Sequence, residues 1–363
     1  CSENLVFQVM LKYILKRIAL MIPTLFGVLF ITFAVIQFVP GGPIEQITSQ
    51  LNNLNVSGEA SSGSANIYRG SSGLDEEHLE QLREYYGFDK PFLERFWILI
   101  TNYLSFNLGE SYFHHQTVSE LIIDKLPVSI SLGLWSFIII YSVCIPLGIK
   151  KAVRHGTKFD ITTSSIILIG YSIPGFVLGI GLIVLLGGGS FLDIFPTRGI
   201  VSDNWSELSW FDKIFDYLWH MTLPIICTVI GSFAVMTMLT KNSFIEEINK
   251  QYVLTAKSKG LSENEILYKH IFKNALIPIL TGFPAQFISA FFTGSILIET
   301  IFSLDGIGLL SYESILQRDY PVVLGTLYLF TLLGLMAKLL TDISYVWVDP
   351  RIKFSSLSDG KNE

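Results

Sequence analysis

Few side chains of this 363-residue sequence have the types and spacing that covalent or metal chemistry needs. The strongest metal-binding candidate is the neighbouring pair His114 and His115, but adjacent histidines without further spaced ligands are more often solvated. Cys144 and Cys227 fall inside apolar runs, and we interpret them as small apolar side chains. The sequence has no G-x-x-x-x-G-K-[ST], H-E-x-x-H or G-x-S-x-G motif. We therefore expect no catalytic, cofactor-binding or metal site in this chain.

The composition indicates a protein that lies in a lipid bilayer. Half of the residues are hydrophobic and only 15% are charged, with a mean hydropathy of +0.50. Soluble domains carry about 25% charged residues, so this deficit is typical of an integral membrane protein. Membrane lipid is therefore an expected partner, and nucleic acid is not.

Six apolar runs are long enough to span a bilayer, which takes about 20 mostly apolar residues in a helix. They cover residues 18–39, 127–149, 161–186, 222–240, 275–298 and 321–340. Lys338 is their only charged residue, and its spacing from Asp342 predicts an i,i+4 ion pair. Proton- and ion-coupled transporters usually carry ionisable groups within their spans. If this chain moves a solute, we expect the energy to come from another protein.

Lysine and arginine residues lie in alternate flanks of the spans, and this pattern predicts the orientation. They are Lys12, Lys16, Arg17, Lys150, Lys151, Arg154, Lys158, Lys241, Lys250, Lys257, Lys259, Lys269, Lys273, Arg351 and Lys353. All of these residues fall on one side of the membrane if both termini are cytoplasmic. We expect a multi-pass membrane protein with that orientation.

The orientation divides the chain into five regions. Residues 1–9 contain ENLVFQ, which is one residue away from an engineered protease-cleavage sequence, so we expect a remnant or an upstream extension. The other regions are the N-terminus and first span at 10–39, a large periplasmic loop at 40–126, a five-helix core at 127–349 with a cytoplasmic loop at 241–274, and a cytoplasmic tail at 350–363.

The predicted outside loops carry two kinds of signal. Residues 52–66 are rich in Ser, Gly and Asn, which predicts a flexible segment. FWILITNYLSF at 96–106 is apolar but too short to span, so it could lie along the membrane surface or pack on the spans. Residues 187–221 are rich in aromatics, which fit either an interfacial belt or a surface for an external partner.

The 241–274 loop is polar and net basic, and its centre reads QYVLTAKSKGLSENEILYKH at 251–270. Residues 252–259 can form a short helix that Gly260 breaks. Ser262 is a candidate N-cap for a second helix, with Glu265 as the N3 partner of a capping box. A helix–turn–helix fixed to two spans can dock in a groove of a soluble partner; a solvated hairpin without a partner is the alternative.

The 241–274 loop resembles the cytoplasmic coupling loop, or EAA loop, of ABC importer permeases. Of the generic E-A-A-x-x-x-G core it keeps Ala256 and Gly260. The peptide-importer version, Y-V-x-T-A-x-x-K-G-L-S-E and then H-x-x-x-N-A-x-x-P, fits much better. The matching residues are Tyr252, Val253, Thr255, Ala256, Lys259, Gly260, Leu261, Ser262, Glu263, His270, Asn274, Ala275 and Pro278.

Similar motifs extend over nearly the whole chain from Met10 and occur in the order of the dipeptide/oligopeptide permease family. They are FVPGGP (38–43), YYGFDKP (85–91), NLGESY (107–112), YSIPGF (171–176), RDYPVV (318–323) and DPRI (349–352). FSLDGIGLLSYES (302–314), YLWHMTLP (217–224) and MLTKNSF (238–244) most resemble the Yej-type subgroup, which is associated with uptake of microcin C and other peptides. Asp305 stands where many relatives have Pro.

The resemblance implies an all-α type I ABC importer permease fold with six transmembrane helices, located in the bacterial inner membrane. It implies a permease subunit that forms half of an ATP-driven peptide pathway, as a heterodimer with a second homologous permease. A partner ATPase, as two chains or one fused chain, would bind ATP and Mg²⁺, and a periplasmic peptide-binding protein would deliver the peptide. The coupling role would fall on Tyr252, Thr255, Ala256, Lys259, Gly260, Leu261, Ser262, Glu263, His270 and Asn274.

Two other classes of function stay open at this point. One is a secondary transporter or channel for small solutes that needs no ATPase partner, although intramembrane charges are missing from the predicted spans. The other is a membrane enzyme, for which the sequence offers no nucleophile–base pair and no metal-ligand spacing.

Overall fold

The computed structural model describes residues 2–38, 89–187, 191–292 and 295–348. These residues are helical apart from their connections, which include one isolated β-bridge between Glu110 and Thr117. The predicted all-α class is therefore confirmed for the described residues. The flexible segment predicted at 52–66 and the tail at 350–363 lie outside them.

Fourteen α-helices follow one another along the described residues, with single π-helical turns at two places. They are α1 (Ser2–Phe38), α2 (Phe92–Leu104), α3 (Val118–Ile139), α4 (Ile145–Val153), α5 (Lys158–Ser172), α6 (Gly175–Leu186), α7 (Trp210–Ile248), α8 (Gln251–Ser258), α9 (Glu263–Glu265), α10 (Phe272–Ala275), α11 (Ile277–Phe292), α12 (Ile296–Ile301), α13 (Ile307–Gln317) and α14 (Tyr320–Val348). A π-helical turn at Ile140–Cys144 joins α3 to α4, and another at Ile266–Ile271 joins α9 to α10.

Four of these segments are long and apolar enough to cross a membrane by themselves. They are Leu11–Phe38, Val118–Val153, Trp210–Ile248 and Tyr320–Ser344. Two further candidates are bent pairs, α5 with α6 at 91° and Glu263–Ala275 with Ile277–Ala290 at 50°. Counting each bent pair as one span gives six candidates, as predicted, but the third and fifth are not straight rods. The fifth pair also begins at Glu263, inside the 241–274 loop, so only its second helix, Ile277–Ala290, overlaps the predicted span at 275–298.

Pro174 accounts for the sharper of the two bends. Ile173 ends α5 in an extended conformation, with φ −93° and ψ 118°. Proline disfavours the helical region for the residue that precedes it and has no N–H to continue the ladder of hydrogen bonds. The S-I-P triplet at 172–174 therefore breaks a run that composition alone presents as one apolar span.

The described chain forms two compact units, and several helices contribute to both. The larger unit comprises Cys1–Met21, Lys125–Leu309 and Leu332–Glu363. Its main apolar cluster is built from α3, α7 and α12, with Met221, Leu223 and Leu304 at most 1% exposed. Cys227 lies in this cluster and Cys144 is also a buried free thiol, as their apolar setting predicted.

The smaller unit comprises Ile22–Asp124 and Leu310–Thr331. Helix α2 packs on the second half of α1, because the Phe96 ring lies 5.2 Å from the rings of Phe26 and Phe30. The apolar stretch at 96–106 therefore packs on a span, which was one of its two predicted arrangements. Two motifs far apart in sequence meet in this unit, since Asp319 accepts hydrogen bonds from the Ser111 hydroxyl and the Tyr112 N–H.

One predicted ion pair is wrong. The described side chains show no pairing of Lys338 with Asp342; instead Arg17 Nη2 lies 2.9 Å from Asp342 Oδ2. Both partners belong to the larger unit. A guanidinium can reach a carboxylate on another helix, so the i,i+4 spacing on one helix did not decide the partner.

Candidate coupling site

The centre of the 241–274 loop folds as the sequence predicts. Helix α8 occupies Gln251–Ser258, and Gly260 follows with a φ of 79°. This left-handed conformation is open to glycine and strained for residues with a Cβ. A Cβ placed on Gly260 would have no heavy atom within 4 Å, so the strain at this position is conformational and not steric.

The chain resumes its helix through the predicted capping box. The Glu265 N–H donates to the Ser262 hydroxyl at 3.3 Å, and the Ser262 N–H donates to the Glu265 carboxylate at 3.2 Å. Two N–H groups at the start of α9 are satisfied in this way, which fixes the direction in which the chain leaves the Gly260 turn.

An apolar face fastens the loop to the ends of two longer helices. Val253, Ala256, Ile266, Ile271 and Ala275 are buried in one cluster. The same cluster contains Ala152 of α4 and Phe244 of α7. Ala256 is only 7% exposed within that packing. The loop is thus a stiff extension of the larger unit.

Polar contacts hold the point where α7 passes into α8. Glu247 is mostly buried and accepts hydrogen bonds from the Tyr252 hydroxyl, at 2.7 Å, and from the Lys250 ammonium. The hydrogen bond to Glu247 raises the pKa of Lys250. Burial raises the pKa of Tyr252, so this phenol stays protonated as a donor. The entry to the loop is therefore fixed by one acceptor with two donors.

The ten predicted coupling residues divide between two faces of the loop. Ala256 is buried, and Tyr252 and Leu261 are half-buried, so these three anchor the loop. The other seven are exposed: Thr255, Lys259, Gly260, Ser262, Glu263, His270 and Asn274. The exposed residues offer two basic side chains, one carboxylate and several neutral polar groups to the surroundings of the loop. Such a surface suits contact with a soluble protein, and it contains no constellation for covalent chemistry.

Two exposed apolar side chains of the loop were not among the predicted residues. Leu254 is 62% exposed on α8, and Tyr268 is 63% exposed in the second π-helical turn. Their exposure could have been predicted from the sequence. Val253, Ala256 and Ile266 belong to the buried apolar face of the loop, and Leu254 and Tyr268 are large apolar residues outside that face. Large apolar side chains that point away from their own core are candidates for contact with another chain.

A buried ion cluster at the root of the loop was also missed. Asp160, in the first turn of α5, has its Oδ1 2.8 Å from Lys241 Nζ of α7 and 3.2 Å from Lys151 Nζ of α4. His155 Nδ1 lies 3.2 Å from Oδ2, and the Gly156 N–H donates to the same oxygen at 3.1 Å. One carboxylate therefore ties together three helices that support the 241–274 loop.

Lys151 is the most deeply buried member of that cluster, with its side chain fully inaccessible. Its ammonium also donates to the Asp160 carbonyl at 2.9 Å, to Thr163 Oγ1 at 2.7 Å and to Ser164 Oγ at 2.8 Å. A buried ammonium with such partners avoids the large cost of an unpaired buried charge. The orientation argument used Lys151 only as one of the basic residues that flank the spans, and its burial in an ion cluster was not predicted.

A cavity of about 420 Å³ lies in the larger unit between α3, α7 and α11. Hydroxyl and amide groups of Ser136, Tyr141, Thr228, Ser232 and Gln286 are part of its lining, and none of its lining residues carries a charge. Among the described residues, Ser136 Oγ and the Tyr141 hydroxyl are buried without a hydrogen-bond partner. Buried hydroxyls that face a cavity are suited to pair with a polar solute or with water.

Glu299 is a buried acid that lies one residue beyond the predicted fifth span. Its Oε2 accepts a hydrogen bond from the Leu309 N–H at 2.8 Å, and Ser129 Oγ accepts one from the Ile307 N–H at 2.9 Å. A Cβ at Gly306 would lie 2.6 Å from the Glu299 carboxyl carbon, so a larger residue there would displace this carboxylate. The carboxylate caps the first turn of α13, where free N–H groups favour a negative charge.

Comparison with known proteins decides the family. Residues 144–354 match the family model described as "Binding-protein-dependent transport system inner membrane component". The chain belongs to this family. The family model covers most of the larger unit, including the 241–274 loop, the Asp160 cluster and the part of the cavity wall that α7 and α11 contribute.

Several curated relatives are similar over almost their whole length. The "Peptidoglycan transport system permease protein YejB" of Agrobacterium fabrum is 55% identical over 94% of this chain and 98% of that protein. The "Inner membrane ABC transporter permease protein YejB" of Escherichia coli O157:H7 is 52% identical over the same shares. The "Oligopeptide transport system permease protein AppB" of Bacillus subtilis is 32% identical over 95% of this chain and all of that protein.

A solved structure titled "Inward facing conformations of the MetNI methionine ABC transporter: CY5 native crystal form" is 16% identical, with a TM-score of 0.42. It covers 63% of this chain and 97% of that chain. The family membership itself confirms the predicted resemblance, the type I ABC importer permease fold and a multi-pass location in the inner membrane. It also makes this chain a transporter permease subunit.

Proposed function

We propose that this chain is one of two homologous permeases of an ATP-driven importer of peptides. In this proposal the second permease completes the pathway, and a periplasmic peptide-binding protein delivers the peptide. ATP and Mg²⁺ are bound by a cytoplasmic ATPase, which is either two chains or one fused chain. The support is the similarity to permeases named for peptidoglycan, oligopeptide and dipeptide transport. Peptide antibiotics of the microcin C type and cell-wall peptides are the substrate classes we expect.

The observation that carries the proposal is the construction of the 241–274 loop. Its buried face packs on Ala152 of α4 and Phe244 of α7. Because a close-packed interface deforms little, a displacement of the loop also displaces these two helices. Its exposed face carries Thr255, Lys259, Glu263 and the bare backbone of Gly260. We assign the exposed face to the ATPase groove, with both termini and the loop on the cytoplasmic side.

The cavity between α3, α7 and α11 is our candidate for this chain's part of the peptide pathway. A peptide crossing a bilayer must keep its backbone N–H and C=O groups hydrogen-bonded, because unpaired groups there cost several kcal/mol each. Neutral hydroxyls and the Gln286 amide can exchange hydrogen bonds with any peptide backbone. A fixed charge would instead hold some side chains too tightly to release them.

Uptake into proteoliposomes tests the proposal. Proteoliposomes that contain the complete complex should accumulate labelled peptide on the side of the membrane where the ATPase lies. They should do so only when ATP is present on that side. Replacing the catalytic residue of the ATPase should abolish accumulation while the permease still inserts and assembles. Accumulation that continues with the inactive ATPase would identify a secondary transporter or channel and overturn the proposal.

A further inference from the structure

The candidate span Val118–Val153 changes its helical pattern at the first π-helical turn, Ile140–Cys144. Residues on the two sides of this turn pack in different apolar clusters. Leu132 of α3 belongs to the main apolar cluster, whereas Ala152 of α4 belongs to the cluster that fastens the 241–274 loop. The turn therefore lies where the span passes from one apolar cluster of the larger unit to the other.

Pro146 gives a physical reason for the π-helical turn. It is the second residue of α4 and has no N–H to donate to the carbonyl of Ser142, and in an unbroken α-helix its ring would press on that carbonyl. The wider turn, with i→i+5 hydrogen bonds, comes directly before it. Prolines and π-helical turns are points at which long helices kink. The span can therefore change its angle here at a lower cost than within the regular helices on either side.

Helix α4 is locked to the end of α7 and so to the loop. A Cβ at Gly148 would lie 2.6 Å from Thr240 Cβ, so the two helices approach each other closely at this point. Lys151 of α4 and Lys241 of α7 also share the carboxylate of Asp160. Because packing this close deforms little, α4 is displaced together with the loop.

Helix α3 is held at a different place. Trp135 Nε1 donates to the Tyr217 hydroxyl at 3.0 Å, near the other end of α7. Helix α7 contributes residues to both clusters, and between them in sequence lie Gly231 and Ser232, which line the cavity. Gly/Ser pairs are another common point at which long helices bend. Both helices that connect the two clusters can thus bend beside the cavity.

Tyr141 lies in the first π-helical turn and lines the cavity between α3, α7 and α11. Its ring stacks on Phe137 of α3, with the centroids 4.4 Å apart, and meets the ring of Phe283 of α11 edge-on at 5.5 Å. Its hydroxyl is buried and accepts or donates no hydrogen bond within the part of the chain that the structure describes. A buried hydroxyl of this kind costs free energy until a carbonyl or a water pairs with it.

We infer that the Tyr141 hydroxyl binds a backbone carbonyl of the peptide, and that the first π-helical turn makes this contact depend on the position of the 241–274 loop. The inference rests on the proposed function, in which the cavity is part of the peptide pathway. The loop position that the ATPase imposes then sets the affinity of the cavity for peptide. By linkage, a bound peptide biases the loop, and with it the binding of ATP, by the same factor.

Peptide affinity in two states of the complete complex tests the contact. Both states use an ATPase whose catalytic residue is replaced, one without nucleotide and one with ATP bound, and the probe is the labelled peptide of the uptake assay. The two affinities of the wild-type chain should differ about tenfold. Tyr141→Phe keeps the ring and should weaken binding in the tighter state about fivefold, as the loss of one hydrogen bond predicts, with little change in the weaker state.

Tyr171→Phe is the matched control for this measurement. Tyr171 is an exposed tyrosine of α5 that does not line the cavity, so both affinities should stay at their wild-type values.

Amide hydrogen exchange tests the turn separately from the contact. Binding of ATP should change the exchange rates at residues 142–145 by about threefold or more, while those at 128–135 stay the same. Pro146→Ala restores the N–H that a continuous α-helix needs, and it should reduce this response to ATP. Pro127→Ala, at an exposed proline earlier in the same span, should leave the response unchanged.

A loss of affinity confined to the tighter state, together with ATP-dependent exchange at 142–145, supports the inference. Equal affinities in the two states, an equal loss in both states of Tyr141→Phe, or no loss in either would overturn it. Exchange at 142–145 that does not respond to ATP would also overturn it, even if Tyr141→Phe fails to fold. Failure of the proposed function is distinguishable, because the wild-type complex itself would then accumulate no peptide with ATP, and the inference would fall with it.

Discussion

Lys241 Nζ lies 2.8 Å from Asp160 Oδ1, and this pair ties the last turns of α7 to the first turn of α5. The residues that follow Lys241 lead directly into the 241–274 loop. Because Asp160 also holds the buried Lys151, the root of the loop is fixed by charge as well as by apolar packing. A movement imposed on the loop therefore reaches several helices together.

Asp160→Asn should destabilise the larger unit by about 3–5 kcal/mol, because it leaves the ammonium of Lys151 buried without its counter-charge. Urea unfolding of the protein in detergent measures the effect. Asp193→Asn is the control, since Asp193 is exposed. A loss in Asp160→Asn no larger than in this control would mean that the cluster contributes little to stability.

Ser262→Ala should loosen the second half of the loop without unfolding the chain. Losing the N-cap costs about 1 kcal/mol, so amide hydrogens at 265–266 should exchange roughly fivefold faster. Ser258→Ala is a suitable control, because the Ser258 hydroxyl only donates to the Leu254 carbonyl of its own helix. Equal exchange rates in both variants would show that the capping box does not hold the loop.

Cysteine labelling tests the predicted orientation. Cys144 and Cys227 are buried and should give little background, and the third cysteine, Cys1, is replaced by serine in all variants. Asp203→Cys should react with a membrane-impermeant maleimide added to intact spheroplasts, whereas Ser258→Cys should react only after lysis. Labelling of Ser258→Cys in intact spheroplasts would place the loop outside and remove the basis for coupling to a cytoplasmic ATPase.

Gln286→Leu should reduce peptide uptake severalfold while ATP hydrolysis continues, because it removes an amide from the candidate pathway without touching the loop. Gln286→Asn keeps an amide group and should retain most of the uptake. Parallel assays of both activities in proteoliposomes give the comparison. If the Leu variant transports at the wild-type rate, this wall of the cavity does not contact peptide.

The sequence predicts those features that depend on local chemistry. Each of the six apolar runs overlaps a candidate span, although the fifth overlaps only the second helix of its bent pair. The spacing of Gly260, Ser262 and Glu265 predicted the turn and the capping box that the structure contains. The exposed position of most predicted coupling residues is likewise found. Their contact with an ATPase remains a prediction.

The features that the sequence did not predict depend on contacts between distant segments. In the sequence Lys151 is one of several basic residues that flank a span. Only the packing of α4, α5 and α7 shows that it is buried beside Asp160, which also pairs with Lys241. Asp342 pairs with Arg17 because two helices far apart in sequence meet, a choice that i,i+4 spacing cannot decide. Glu299 lies at the end of an apolar run, and only the fold shows that its carboxylate caps α13.

Gly260 offers the most direct test of the claim that the loop transmits the work of the ATPase. Gly156 is a close match, since both glycines have positive φ, of 79° and 75°, and a Cβ on either would have no heavy atom within 4 Å. Any substitution at these positions should cost the isolated chain roughly 1 kcal/mol of conformational strain. The Gly156 N–H also donates to Asp160, a hydrogen bond that uses the backbone and not a side chain at 156. In our proposal the two sites therefore differ mainly in whether the ATPase groove surrounds them.

The decisive measurement is ATP hydrolysis and peptide uptake, recorded side by side, for reconstituted complexes that carry Gly260→Glu or Gly156→Glu. Gly260→Glu should insert and pair with the second permease, but its ATPase should detach or hydrolyse ATP without moving peptide. Gly156→Glu should keep most of the coupled uptake. If Gly260→Glu retains uptake that depends on ATP, the 241–274 loop is not the transmission element.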